Sequence, residues 1–206
     1  MGVKLYSTTY CPYAWSVRIV LNEKRVPFEV FEVDLKQKQE EFLRLSPTKK
    51  VPLLCDGATR IWESMVINEY LEEKYPEPNL LGTTPEERSA VRAVVLDINW
   101  NRSQPLAKLA AMLFYGRESR DDEKIRRQVR LWYSFLEELD DHFEQRDWLA
   151  ISRFTVADIN LYATVTVSQG FGMRIGERRH LHRWLERMNR RESVQRSAPE
   201  ALPQLM

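Results

Sequence analysis

The stretch Thr9-Tyr10-Cys11-Pro12-Tyr13-Ala14 closes one short apolar run and opens a helical one. Residues 3–6 read as a buried strand, and Pro12, with its fixed φ and missing N–H, suits the first position of a helix. That helix is expected over residues 12–24, where Trp15, Val17, Ile19, Val20 and Leu21 give the broad buried face of a helix packed on a sheet. Cys11 then stands at the helix N-terminus. Unpaired backbone N–H groups and the positive end of the helix dipole favour an anion there, so the thiolate is expected to be stabilised and its pKa depressed, into the range of ~3.5–7.5. The competing reading is a small apolar residue filling the strand-to-helix corner, since free cysteine is commonly buried. Ala14 stands where a second cysteine would complete Cys-x-x-Cys, so any mixed disulfide on Cys11 has to be resolved by an external thiol.

Working outward, residues 28–33 alternate with period two as a half-buried strand. Two strands joined by a helix make a βαβ unit, whose crossover is right-handed and whose strands are parallel. Residues 39–45 make a short helix with Phe42, Leu43 and Leu45 inward, ended by Ser46-Pro47. Lys50-Val51-Pro52-Leu53-Leu54-Cys55 is an apolar strand with a proline at its beginning, Asp56-Gly57 is a hairpin turn, and Arg60-Ile61-Trp62 returns as the pairing strand. From Ser64 to Tyr75 the residues Val66, Ile67, Tyr70, Leu71 and Tyr75 repeat at helical spacing, and Pro76 stops the run.

The order β-α-β-α-β-β-α, with Cys11-Pro12-Tyr13-Ala14, then Val51-Pro52, then Glu63-Ser64, resembles the thioredoxin-like domain of cytosolic glutathione transferases of the cysteine type. It is similar above all to the omega class and to bacterial relatives including stringent starvation protein A. The resemblance implies an α/β thioredoxin-like domain over residues 1–78 and an all-helical C-terminal domain over residues 86–206. The intervening linker is rich in proline, asparagine, glycine and threonine, as domain boundaries are.

In the second half, Val91, Val94, Val95 and Ile98 mark one helix and Leu106, Leu109, Ala110, Leu113 and Phe114 continue it, with a kink or break expected at Pro105. Ile125, Val129, Trp132, Leu136, Leu139 and Phe143 define a long amphipathic helix, and the charged run over residues 117–124 reads as the loop before it. Thr155-Val156-Ala157-Asp158 is a capping box, in which Thr155 caps the N–H three residues on and Asp158 reaches back to the Thr155 N–H. The same box recurs in the helical domain of the resembled family, though the glycine often found shortly before it is replaced here by Leu149-Ala150-Ile151-Ser152. A last helix carries Leu181, Trp184, Leu185 and Met188, and the arginines clustered around it over residues 174–191 read as a solvated or partner-facing surface rather than a nucleic-acid site.

Composition bounds the function. Among 206 residues, 31 basic side chains stand against 30 acidic ones, a formal net charge of +1 that gives no general field for nucleic acid or anionic membrane. Cys11 and Cys55 lack metal-ligand spacing and lie far apart, so neither a disulfide scaffold nor a metal site is expected. No run approaches the ~20 apolar residues of a membrane span, and the N-terminus lacks the regions of a signal peptide, so a cytoplasmic protein is expected.

The resemblance also implies a ligand set. Glutathione, as co-substrate, offers an α-carboxylate and amine at one end, a cysteinyl backbone and a glycine carboxylate. Ser64, opening a helix, and Glu63 before it suit the γ-glutamyl end, while Ser64 as an ordinary N-cap is the alternative. If Val51-Pro52 is cis, as the resemblance implies, Val51 pairs with the cysteinyl backbone like an added strand; a plain strand-start proline is the alternative. Lys38 and Lys50 are candidates for the glycine carboxylate, and Tyr13 corresponds to the aromatic after Cys-Pro in relatives. Tyr6, Ser7 and Thr9 also need weighing, because other transferase classes activate glutathione with a tyrosine or serine hydroxyl near this position. A cysteine instead favours making and breaking mixed disulfides, so a thiol transferase or dehydroascorbate-reductase-like activity is expected. A hydrophobic or disulfide co-substrate would lie against Trp100, Leu106, Met112 and Tyr115. The family also implies a homodimer. The alternatives are a binding protein of the stringent starvation type with RNA polymerase as partner, and a glutathione-dependent dehalogenase or isomerase.

Overall fold

The computed structural model describes residues 2–9, 11–113 and 121–198. The expected start of the chain is found: strand β1 (Val3–Ser7), helix α1 (Pro12–Glu23), strand β2 (Phe28–Glu32), helix α2 (Glu40–Leu45), the hairpin β3 (Leu53–Asp56) and β4 (Thr59–Trp62), and helix α3 (Ser64–Lys74). The sheet order is β2-β1-β3-β4. β2 runs parallel to β1, with Leu5 opposite Val30, and β3 runs antiparallel to β1, with Leu5 opposite Leu54. A parallel neighbour needs a crossover, which α1 supplies, whereas the antiparallel pair β3–β4 needs only the turn at Asp56-Gly57; Gly57 carries the positive φ of 60° that the turn requires.

β2 differs from the expected half-buried strand. It is one of the two edge strands of the sheet, and Val30 is 41% exposed. Leu43 on α2 is likewise exposed rather than inward, so buried Phe42, with partly buried Leu45, anchors that short helix in the core.

The second half is helical: α4 (Pro85–Asp97), a π-helical turn (Ile98–Arg102), α5 (Gln104–Leu113), α6 (Asp122–Gln145), α7 (Val156–Gly170), α8 (Arg179–Asn189) and α9 (Glu192–Ser197). The expected break at Pro105 falls one turn earlier. A wide turn closed by Ser103 N–H to Ile98 O at 2.9 Å displaces the chain, and Pro105 sits in the first turn of α5, where its missing N–H has no helical partner to lose. Residues 122–124, expected in a loop, form the first turn of α6, because Asp121 accepts from the N–H groups of Glu123 and Lys124 at 2.9 and 3.0 Å. The rest of that expected loop, with Phe114 and Tyr115, lies outside the described residues.

α7 is buried on nearly all sides, as a helix at the centre of a bundle must be. α1 packs on it as well as on the sheet, with Trp15 edge-on to Tyr162 at 6.0 Å, and one core cluster runs from Leu5 through Trp15 and Ile159 to Trp184. The capping box that starts α7 is formed. Asp158, fully buried, accepts from Thr155 N–H (3.0 Å), Leu149 N–H (2.9 Å) and Trp184 Nε1 (3.2 Å), while the Thr155 hydroxyl reaches the N–H of Ala157 at 3.3 Å. The Leu149 contact fixes the segment that lacks the glycine. Burial pushes the Asp158 carboxyl up to about 6 against the pull of these donors.

A buried cation holds the link between the halves. Lys24, its side chain fully inaccessible, pairs with Glu72 at 2.6 Å and donates to Tyr75 O (2.7 Å) and Pro78 O (2.9 Å). Glu72 also accepts from Asn79 Nδ2 (2.7 Å) and Leu80 N–H (3.1 Å), so every charge leaving water here is met by donors or acceptors.

Candidate active site

Cys11 precedes α1 as its N-cap, with extended backbone (φ −100°, ψ 109°) and Pro12 directly after it. Its N–H bonds to Thr8 O at 3.2 Å, which closes the strand-to-helix corner, and its Sγ faces Val51 O at 4.0 Å. The Val51-Pro52 bond is cis, and Val51 lies two residues before the β3 ladder begins. The Cys11-Pro12 and Val51-Pro52 stretches are thus brought together.

The other hydroxyls of this corner are engaged elsewhere. Tyr6 donates to Glu41 at 3.1 Å beneath α2 and stacks on Phe31. Ser7, fully buried, accepts from Arg18 Nε at 2.9 Å, and Thr9 donates from N–H and Oγ1 to Glu32. Among the described residues of this corner, Cys11 is the one whose reactive atom reaches Val51.

The expected depression of the Cys11 pKa is not found. Burial pushes the thiol up to about 11, and the backbone N–H groups of Ala14 and Tyr13, with the more distant Arg18 charge, pull it down without overcoming that cost. Cys11 is half-buried, and the cost of desolvating its thiolate offsets the pull of the helix N-terminus, a balance that sequence position alone does not reveal. Burial also raises Cys55, which lies in the strand interior beside Lys4 and Arg60.

A cleft of about 620 Å³ opens beside this corner between the two halves, within the range of ligand pockets. Tyr13, Lys50, Val51, Glu63 and Ser64 line it on the sheet side, with Leu96, Asn99, Trp100 and Gln104 opposite. Ser64 begins the eleven-residue α3, whose first N–H groups open at the cleft, and Glu63 stands at its N-cap with φ +66°, a left-handed conformation unusual for a residue with a side chain. Lys38 is not part of the lining: it donates to Lys49 O at 2.8 Å outside the cleft.

Tyr13 joins the halves. Its hydroxyl donates to Asn99 O (3.2 Å) and lies 3.1 Å from Ser103 Oγ, which itself donates to Asn99 O at 3.0 Å, so all three clasp the π-helical turn. That turn puts Asn99 and Trp100 on the cleft wall. Trp100 is 70% exposed, matching its expected place, but Leu106 and Met112 are buried in the core rather than in the cleft, because the π-turn rotates α5 relative to α4. Asn99 and Gln104 were not foreseen. No motif marks them, and the insertion of one residue into the helical ladder cannot be read from a pattern of period 3.6.

Among the described residues no cluster of metal-ligating side chains occurs, and no helix is long and apolar enough to cross a membrane.

Residues 5–79 match the family description "Glutathione S-transferase, N-terminal domain" and residues 104–192 match "Glutathione S-transferase, C-terminal domain". The chain is 30% identical to a probable maleylacetoacetate isomerase of Vibrio cholerae over 98% of each chain. It is 28% identical to a stringent starvation protein A homolog of Coxiella burnetii over 98% of this chain and 93% of that one. A solved glutathione S-transferase from Rhodospirillum rubrum superposes with a TM-score of 0.84 at 26% identity, covering 97% of this chain and 93% of the other.

Proposed function

The chain belongs to the glutathione transferase superfamily, and we propose that it is a glutathione-dependent thiol transferase, or reductase, whose nucleophile is Cys11. The observation that carries this reading is the Cys11 thiol 4.0 Å from the carbonyl of Val51, which lines the cleft that Cys11 itself does not line.

In the proposed reaction the Cys11 proton is lost to solvent and the thiolate, stabilised by the Tyr13 and Ala14 N–H groups, attacks the glutathionyl sulfur of a mixed disulfide R–S–S–G. The S–S bond breaks, RS⁻ leaves and takes up a proton, and Cys11 carries the glutathionyl group. A second glutathione thiolate attacks that group, the glutathione disulfide departs, and the Cys11 thiolate is restored. The net reaction is a disulfide exchange in which R–S–S–G and one free glutathione give R–SH and glutathione disulfide.

Val51, beside the thiol, is the proposed partner of the ligand's cysteinyl backbone, and the N–H groups at Ser64 with the Glu63 carboxylate hold the γ-glutamyl end. Lys50 is the proposed cation for the glycine carboxylate; Lys38 keeps that role only by leaving the Lys49 carbonyl. Tyr13 offers its ring to the cleft while its hydroxyl stays on the π-turn. An apolar or disulfide co-substrate would lie against Trp100 and Leu96. We further propose a cytoplasmic location and a homodimer, the dimer supported by the exposed apolar side chains of Trp62 and Val66. A second reading, glutathione-dependent isomerisation, is favoured by the full-length likeness to the probable maleylacetoacetate isomerase.

Turnover of a small glutathione mixed disulfide tests the choice. The wild type should reduce it and Cys11→Ser should not, while glutathione affinity survives. Equal turnover by both would remove Cys11 from the mechanism, and no turnover by the wild type would leave the isomerase reading.

A further inference from the structure

At the end of α1 opposite Cys11, about 18 Å away by the rise of twelve helical residues, lies a polar groove of about 860 Å³ between the α1–β2 turn and helices α8 and α9. Five arginines, Arg25, Arg187, Arg190, Arg191 and Arg196, face it against two acids, Glu23 and Glu192, so it carries +3 where the whole chain carries +1.

These arginines differ in what already holds them. Arg191 is turned inward: it pairs with Glu23, which also accepts from Ser193, and its guanidinium lies 3.6 Å from the Phe154 ring centre. Arg187 is bonded to Asp147. By contrast Arg190 and Arg196 are exposed: Arg190 has only a loose contact at 3.9 Å with Glu186, and Arg196 pairs at 2.6 Å with Glu192, which is itself exposed. Arg25 is exposed at the turn itself.

Arg25 is also a misfit to its backbone position. Its N–H bonds to Asn22 O and the N–H of Val26 to Leu21 O, the paired bonds of a helix C-terminal turn whose left-handed residue is ordinarily glycine. Arg25 occupies it with φ +53°. A side chain is kept where folding alone prefers none, and it reaches the groove.

We propose that this groove docks an acidic, extended segment of a partner protein, independently of the chemistry at Cys11. Charge complementarity argues for the acidic partner, because guanidinium forks pair with carboxylates. The spread of the arginines along a trough argues for a chain rather than one small anion. Val26, Pro27 and Phe28 give the groove an apolar floor, and Phe28 begins β2, an edge strand of the sheet, along which an extended segment can continue.

The test uses a fluorescein-labelled octaglutamate peptide and anisotropy on the full chain at about 0.02 and about 0.2 M salt, where screening differs strongly. Saturable binding is expected at low salt and weaker binding at high salt. Arg25→Gly should weaken it roughly threefold or more without lowering the melting temperature, and R25G/R190Q/R196Q roughly tenfold or more, one tenfold step being ~1.4 kcal/mol. Removing the same charge from the exposed arginines of α6, R126Q/R127Q/R130Q, should change little. No saturable binding, an equal loss in the α6 variant, or a melting temperature lowered by Arg25→Gly would overturn the proposal. So would competition by inorganic tripolyphosphate at lower concentration than unlabelled peptide, which would make the ligand a phosphate compound.

Discussion

Replacing Tyr13 by phenylalanine removes one hydroxyl from the clasp between the two halves and leaves the ring in place. The loss can be bounded from the hydrogen bonds. Tyr13 Oη gives up its donation to Asn99 O at 3.2 Å and its contact with Ser103 Oγ at 3.1 Å, but Ser103 still donates to Asn99 O at 3.0 Å, so no buried acceptor is orphaned. Without an orphan the cost is that of one net hydrogen bond, ~0.5–1.5 kcal/mol. At ~2–4 °C per kcal/mol for a chain of this size, the melting temperature should fall by ~1–6 °C. Ser103→Ala should cost a similar amount, because Tyr13 still donates to Asn99 O, and the double variant more than the sum, because it leaves Asn99 O with neither hydroxyl. Because the hydroxyl is engaged by the π-turn, glutathione affinity by calorimetry should change less than about twofold, while KM for an apolar disulfide read at the Trp100 wall should rise. An unchanged melting temperature together with a roughly tenfold loss of glutathione affinity would show that the hydroxyl serves the ligand, and would refute this assignment.

Three further outcomes follow. With the Cys11 thiol pushed up to about 11, its alkylation by iodoacetamide should climb about tenfold per pH unit from pH ~7 to ~10 without a plateau; a plateau below pH ~8 would show that the helix N-terminus, not burial, decides its state. Lys24→Met strands Glu72, which keeps only its Leu80 and Asn79 donors, so stability measured in urea should drop by ~3–5 kcal/mol and K24M/E72Q should recover part of it; a loss under ~1 kcal/mol would mean that the pair is solvated. Ser64→Ala should weaken glutathione binding ten- to a hundred-fold by calorimetry if its hydroxyl holds a carboxylate, worth ~1.5–3 kcal/mol, whereas a stability loss with unchanged affinity would make it only a helix cap.

Much of this architecture is legible in the sequence because its signals are local. Pro12 and the apolar face from Trp15 to Leu21 specify α1, Asp56-Gly57 specifies the hairpin, and Thr155 with Asp158 specifies the start of α7. The cleft residues that could be read, Tyr13, Lys50, Val51, Glu63 and Ser64, belong to the same strong punctuation, where strands end and helices begin. What escaped the sequence depends on contacts between distant parts. The π-turn, and with it Asn99 and Gln104 on the cleft wall, reflects how α4 and α5 pack rather than any periodicity. Val30 is exposed because β2 is an edge strand, and the arginines around α8 divide into half-buried, ion-paired ones and exposed ones according to acids distant in sequence, Glu137 for Arg178, Asp147 for Arg187 and Glu23 for Arg191. The Cys11 pKa turns on burial that a residue's place at a helix start does not disclose.

The central claim is that Cys11 carries the glutathionyl group. Incubation of the wild-type chain with glutathione disulfide, followed by intact and peptide mass measurement without reductant, tests it directly. The expected result is one glutathionyl group per chain, placed on the peptide containing Cys11, absent in Cys11→Ser and released by added glutathione. A chain that takes up no glutathionyl group, or takes it up at Cys55, would contradict the account.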